Sequence, residues 1–172
     1  MTLYPIPSDG RILFYARDRA EYWWLSNFAR APFTDREGTT WPTAEHAFQA
    51  MKNPDPAFRR AVLAAPTPQM AKSIGRSNAL RPHWDRMRLR VMRGVLDAKF
   101  HHGSGLAVLL LQTGEAELVE DSPSDYFWGV GRKGTGQNAL GVLLMEIREE
   151  RYRDREAEAD ALHFDAYGQE RR

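Results

Sequence analysis

A short helix fenced by prolines is the feature that most limits how this chain can fold. Pro42 disfavours helix before it, Thr43 can cap the free N–H groups after it, and Asn53-Pro54-Asp55-Pro56 ends whatever begins there. Between those stops Glu45, Gln49 and Lys52 recur at i, i+4 and i+7 and share one stripe, with Ala44, Ala47, Phe48 and Met51 offering apolar surface beside it. An acid, an amide and an amine in a row are either a solvated face or the wall of a site. The positive end of the helix favours an ionised Glu45, suited to accept a proton or to stabilise a cation.

On either side the chain is strongly punctuated. Arg11 to Tyr15 reads as a strand, and Glu21 to Phe28 sets four aromatics around the turn-forming Ser26 and Asn27, as a buried plug or a pocket wall. Residues 31–35 and 39–41 form a hairpin that delivers the chain to Thr43. After a helix over 57–65, Thr67 caps another that runs toward Ile74 and meets a turn at Gly75-Arg76-Ser77-Asn78, where Arg76 is either a phosphate grip or a plain surface arginine. Pro82 to Phe100 is a long amphipathic helix starting near Trp84, residues 106–111 a buried helix, and residues 116–120 a strand. Asp121 to Gly131 brings Asp125 and Trp128 beside closely spaced glycines, which let backbone approach a ligand. Asn138 to Arg148 is a compact helix. Glu149 to Arg172 alternates acids and arginines and predicts a helical continuation becoming a mobile tail.

Composition excludes more than it assigns. Lys and Arg number 24 against 23 acids, so no global field draws the chain to nucleic acid or anionic lipid. No cysteine is present, which removes disulfides, thiolate nucleophiles and cysteine zinc sites. His46, His83, His101, His102 and His163 lack a metal-ligand pattern, so no metal or other cofactor is expected. No apolar run is long enough to span a bilayer and no signal peptide is legible, so a cytoplasmic protein without a membrane partner is expected. At 172 residues with 42% hydrophobic residues, one core and a single α+β domain, mostly helical with a few short strands, are expected.

Several of these pieces, in this order, resemble one family. They are Phe14-Tyr15, Leu25-Ser26-Asn27-Phe28, Trp41-Pro42-Thr43-Ala44-Glu45-His46 with Gln49 and Lys52, Trp84 with Arg88 and Met92, Lys99-Phe100, Asp125 with Trp128-Gly129-Val130-Gly131, and Gly136-Gln137-Asn138-Ala139-Leu140-Gly141. The sequence is similar to the YbiA-like or NADAR family over about residues 11–150, which sets a domain over 1–150 and leaves 151–172 as a charged helical extension or tail. The resemblance implies an N-glycosidase that hydrolyses the ribose C1–N bond of phosphorylated ribosylamino heterocycles such as early riboflavin intermediates. The alternatives are removal of ADP-ribose from guanine in nucleic acid, or a non-catalytic ADP-ribose or nucleotide reader. A structural helical domain with core tryptophans is the plainest option.

Such a reaction builds positive charge on C1 and the ring oxygen, so one carboxylate should face it while a second group serves the departing base. Glu45 is expected in the first role or in activating water, and Asp125 in the second or in holding the ribose hydroxyls. Lys52 is a third catalytic candidate, through an ion pair or, less simply, a Schiff base with an opened sugar. Trp84 and Trp128 are expected to sandwich the base, Arg76, Lys52 or Arg88 to meet a phosphate, and Asn27, Phe28, Gln49, Gly129, Gly131 and Asn138 to line the substrate site. The exact base and the oligomeric state are not legible.

Overall fold

The computed structural model describes residues 6–15, 21–77 and 80–169, with side chains to residue 162. Strand β1 (Arg11–Phe14) buries Ile12 and Phe14 and pairs in parallel with β4 (Glu117–Glu120), Arg11 opposite Glu117 and Phe14 opposite Glu120. Parallel neighbours need a crossover, and here the crossover is most of the molecule. It holds the antiparallel pair β2 (Phe33–Thr34) and β3 (Thr40–Trp41) and the helices α1 (Ala44–Ala50), α2 (Pro56–Leu63), α3 (Pro68–Ser77), α4 (Trp84–Lys99) and α5 (Gly105–Gln112). Helix α6 (Ala139–Gln169) follows β4. The fold is α+β and mostly helical.

Local chemistry sets the helix starts. Thr43 Oγ1 accepts from the His46 N–H, Asp55 accepts from Ala57 and Phe58, Thr67 from Met70 and Ser104 from Ala107, each satisfying donors that a first turn leaves open. His46 adds a tie of its own, its ring meeting Thr43 Oγ1 at 2.7 Å and the Ala65 carbonyl at 2.9 Å, so α1 is pinned to the end of α2.

Helix α1 lies between two packed clusters. Phe48 joins Ile12, Phe14, Trp24, Met92 and Leu144 on one side, while Ala44, Ala47 and Ala50 join Trp41, Val62 and Ala71 on the other. Every residue of α1 is buried, so its polar stripe is not a solvated face.

Two expectations about these elements change. The chain does not turn at Gly75; α3 continues through Ser77, and Gly75 is instead a close-approach point, since a Cβ there would lie 1.9 Å from Gln49 Oε1. Asn78 lies outside the described residues. Leu89 and Val108, expected inside their helices' apolar faces, are exposed because α4 and α5 bury narrower stripes. The C-terminal segment continues α6 without a break: Arg151 is buried, donates to the Phe100 carbonyl at 2.8 Å and pairs with Asp97, while Arg93 pairs with Glu150.

Candidate active site

The cleft is assembled at the C-terminal ends of β1 and β4, where α1, α3 and the loop after β4 converge. Its inner chamber, of about 170 Å³, is lined by Asn27, Phe28, Glu45, Gln49, Lys52, Lys72, Arg76, Met92, Glu120, Asp125 and Trp128. An outer basin of about 500 Å³ shares Phe28, Lys72, Arg76, Glu120 and Asp125 with it and adds Tyr15, Ser26, Gln69, Ser73, Ser122 and Ser124. The basin has the size of a small-molecule site. Glu45 and Asp125 face one cavity, from α1 and from the loop after β4.

Glu45 is held from two directions. Its N–H donates to the Asn27 carbonyl at 2.9 Å, which ties α1 to the aromatic turn, and its Oε1 accepts from Gln49 Nε2 at 2.8 Å. Burial pushes its carboxyl above the ordinary value, against Lys72, the Gln49 amide, Lys52 and Arg76, which favour the carboxylate. Desolvation thus overrides the helix-end effect expected from sequence. Lys52 is pulled below the ordinary lysine range by burial, with Glu45 opposing that shift.

Asp125 folds its carboxylate back on its own loop, Oδ1 accepting from the N–H groups of Phe127 and Trp128 at 3.0 and 2.8 Å. That turn sets the Trp128 indole in the inner chamber, where Phe48 meets it edge-on at 5.4 Å between centroids. Asn27 donates to Met92 Sδ at 3.5 Å and leaves its buried Oδ1 without a partner. A buried acceptor left open costs about 1–3 kcal/mol, which marks the chamber as built for a further donor.

Other expected residues stand behind the cleft. Trp84 is buried in the core against Phe48, at 5.3 Å, and does not line either chamber, so the two-indole sandwich is not formed: Phe48 fills the space between Trp84 and Trp128. Arg88 places its guanidinium 3.5 Å over the Phe127 ring, approaches Asp85 at 3.8 Å and lines neither chamber. Gly129 and Gly131 pack the loop rather than line it. A Cβ on Gly129 would sit 2.6 Å from the Glu120 carbonyl, and Gly131, at φ +67°, lies against the Tyr126 ring. Asn138, at φ +50°, is a clamp between the start of α6 and β4, accepting from the Glu120 N–H at 2.9 Å and donating to the Leu118 carbonyl at 2.8 Å. Asn27, Phe28, Gln49, Lys52, Arg76 and Trp128 all line the inner chamber with the two acids.

Sequence reading missed Glu120 and Lys72. Gln69, Lys72, Ser73 and Arg76 follow helical spacing and share the α3 face toward the basin, a pattern hidden by reading a turn at Gly75. Glu120 is the last residue of β4, and burial pushes its carboxyl up to about 8, with Asp125 and Glu45 adding to the shift. Its signal was an acid closing a strand just before the Ser-Pro turn. Among the described residues no cluster of three or more metal-binding side chains occurs, and no helix is long and apolar enough to cross a membrane.

Residues 13–151 match the NADAR domain. The chain belongs to the NADAR family. It is 43% identical over 147 residues to the N-glycosidase YbiA of Shigella flexneri, covering 84% of this chain and 91% of that one. A riboflavin biosynthesis protein of Vibrio vulnificus is 40% identical over 81% of this chain and 38% of its own length. The NMR structure of the Escherichia coli protein YbiA superposes with a TM-score of 0.75 at 42% identity, over 84% of this chain and 86% of that one. This NADAR protein is an enzyme, an N-glycosyl hydrolase, and its family match ends within α6.

Proposed function

We propose that the enzyme hydrolyses the C1–N bond between ribose and an exocyclic nitrogen of a phosphorylated ribosylamino heterocycle, of the kind formed early in riboflavin biosynthesis. The observation that carries this reading is the convergence of acids and cations on one cleft: Glu45 and Asp125 in the inner chamber, with Lys72 and Arg76 continuing into the basin. The riboflavin biosynthesis name of the Vibrio relative supports the substrate class.

In this reading the ribose sits in the inner chamber with the base against Trp128 and Phe28, and the phosphate meets Lys72 and Arg76 in the basin. Breaking the C1–N bond leaves positive charge on C1 and the ring oxygen, which the Glu45 carboxylate faces and from which it can direct a water onto C1. Burial raises the Glu45 carboxyl, which strengthens it as a base, while Lys72, the Gln49 amide, Lys52 and Arg76 oppose that rise and favour the carboxylate. Asp125, its Oδ1 already turned to backbone donors, offers Oδ2 to the ribose hydroxyls. Lys52 favours the Glu45 carboxylate through its charge rather than through a covalent step.

Incubation with a ribosylaminopyrimidine 5′-phosphate and, in parallel, with ADP-ribosylated guanosine tests the assignment by chromatography of the released base. Release from the first and not the second is expected; release only from the second would replace the substrate, and binding of either without release would make the cleft a reader. Glu45→Gln is expected to cut turnover by about 10² or more with the fold intact. Borohydride reduction during turnover is expected to leave Lys52 unmodified, and a ribose adduct found there by mass spectrometry would replace ion pairing with a covalent step.

A further inference from the structure

Among the described residues, one of the three carboxyls in the cleft has a buried oxygen with no donor. Glu45 receives the Gln49 amide and Asp125 two backbone N–H groups, whereas Glu120 Oε2 is buried with no hydrogen-bonding partner. The backbone of Glu120 is locked by its N–H to Asn138 Oδ1 and by its carbonyl, which accepts from the Val130 N–H at 3.0 Å, so the side chain is committed to the floor where both chambers meet. Its charged and titratable neighbours in the cleft are Glu45, Lys52, Lys72, Arg76, Asp125 and Tyr15. Three carboxyls sharing one site do not all ionise together, and Glu120 Oε2, with no donor to stabilise its charge, is the oxygen best placed to carry the proton.

We propose that Glu120 is the general acid of the N-glycosidase reaction, donating its Oε2 proton to the departing nitrogen. The step balances. The C1–N bonding pair passes to nitrogen, which takes the Glu120 proton and leaves as a neutral amine; water adds to C1 and gives up a proton to Glu45; proton exchange through the open basin returns Glu120 to the acid and Glu45 to the carboxylate. One water is consumed and no oxidant or reductant is needed. An acid that retains its proton to about pH 8 is matched to this task at neutral pH. The inference rests on cleavage of an N-glycosidic bond and not on which base departs.

The test is the pH dependence of kcat/KM on whichever of the two N-ribosides the wild-type enzyme cleaves, so that the choice of base and the choice of acid fail separately. Wild type is expected to lose activity on an alkaline limb near pH 8. Glu120→Gln is expected to lower kcat by about 10² to 10⁴ with KM little changed and to abolish that limb. Glu120→Asp keeps a proton donor one carbon short and is expected to keep the limb at an intermediate rate, a readout that stands if the glutamine variant folds poorly. A wild-type profile flat to pH 10, a glutamine variant within fivefold of wild type, or a slow glutamine variant with its alkaline limb intact would each overturn the assignment.

Discussion

Replacing Gly75 by alanine tests whether the contact between α1 and α3 sets the state of Glu45. The added Cβ would fall 1.9 Å from Gln49 Oε1, 2.8 Å from Cδ and 3.1 Å from Cβ, so the amide must swing away from its seat. Gln49 is buried and its nitrogen is bonded to Glu45, so moving the amide breaks that bond. Alanine in a helix interior gains about 1 kcal/mol over glycine, while a lost hydrogen bond to a charged group costs about 1.5–3 kcal/mol. The net is a loss of about 0.5–2 kcal/mol, or roughly 1–8 °C in Tm for a domain of this size. The larger effect is on pH. The Gln49 amide holds the Glu45 carboxyl down against burial, so its removal raises that carboxyl further. With Glu45 acting as the carboxylate proposed above, the acid limb of kcat/KM moves to higher pH. Calorimetry and a pH–rate profile from pH 5 to 8 measure both. A Gly75→Ala enzyme at least as stable as wild type, with its acid limb unmoved, would refute the claim that this contact tunes Glu45.

Two further outcomes follow from packing and burial. Trp84→Ala removes a core indole that supports Phe48 and, through it, Trp128, so a loss of about 3–5 kcal/mol in urea unfolding is expected, larger than any change in substrate affinity; a wild-type midpoint with a raised KM would return Trp84 to the substrate site. Lys99 is fully buried, donates to the Trp24 and Ser26 carbonyls at 2.7 and 2.9 Å, and is lowered by burial to about 7 from 10.5. Between those values the unfolded chain binds more protons than the folded one, so this site's contribution to stability rises with pH. Lys99→Met is expected to lower Tm by leaving two carbonyls open and to remove that rise between pH 7 and 10, measured by melting across pH; an unchanged slope would show that Lys99 does not titrate there.

Much of the fold was legible because its stops and starts are local. Thr43 and Thr67 could be read as caps, and the proline and glycine breaks around Asp55 and Ser104 marked two further helix starts whose caps only the structure identifies. The parallel pairing of β1 with β4 was not legible, since both strands are only four residues long and their partnership spans more than a hundred residues without a local signal. The same limit governs the cleft. Glu45, Gln49 and Lys52 could be grouped from one helical stripe, and their convergence with Asp125 followed only from the family resemblance. Trp84 was misplaced because an indole near a helix start looks the same in sequence whether it faces a ligand or a core. Gly75 looked like a turn because a glycine required by a neighbouring helix carries the same letter as one required by a positive φ.

The clamps around Glu120 explain why an acid can be kept in so unfavourable a place. Asn138 accepts the left-handed conformation to bond β4 on both sides, Gly129 lets the following loop touch the Glu120 carbonyl, and Gly141 lets α6 approach until an added Cβ would stand 2.0 Å from the Leu118 carbonyl. None of these residues reaches the cleft, yet each fixes the strand end from which Glu120 projects. Holding the backbone at this strand end fixes where the Glu120 side chain departs beside Glu45 and Asp125, so the β4–α6 junction sets the geometry on which the proposed general acid depends.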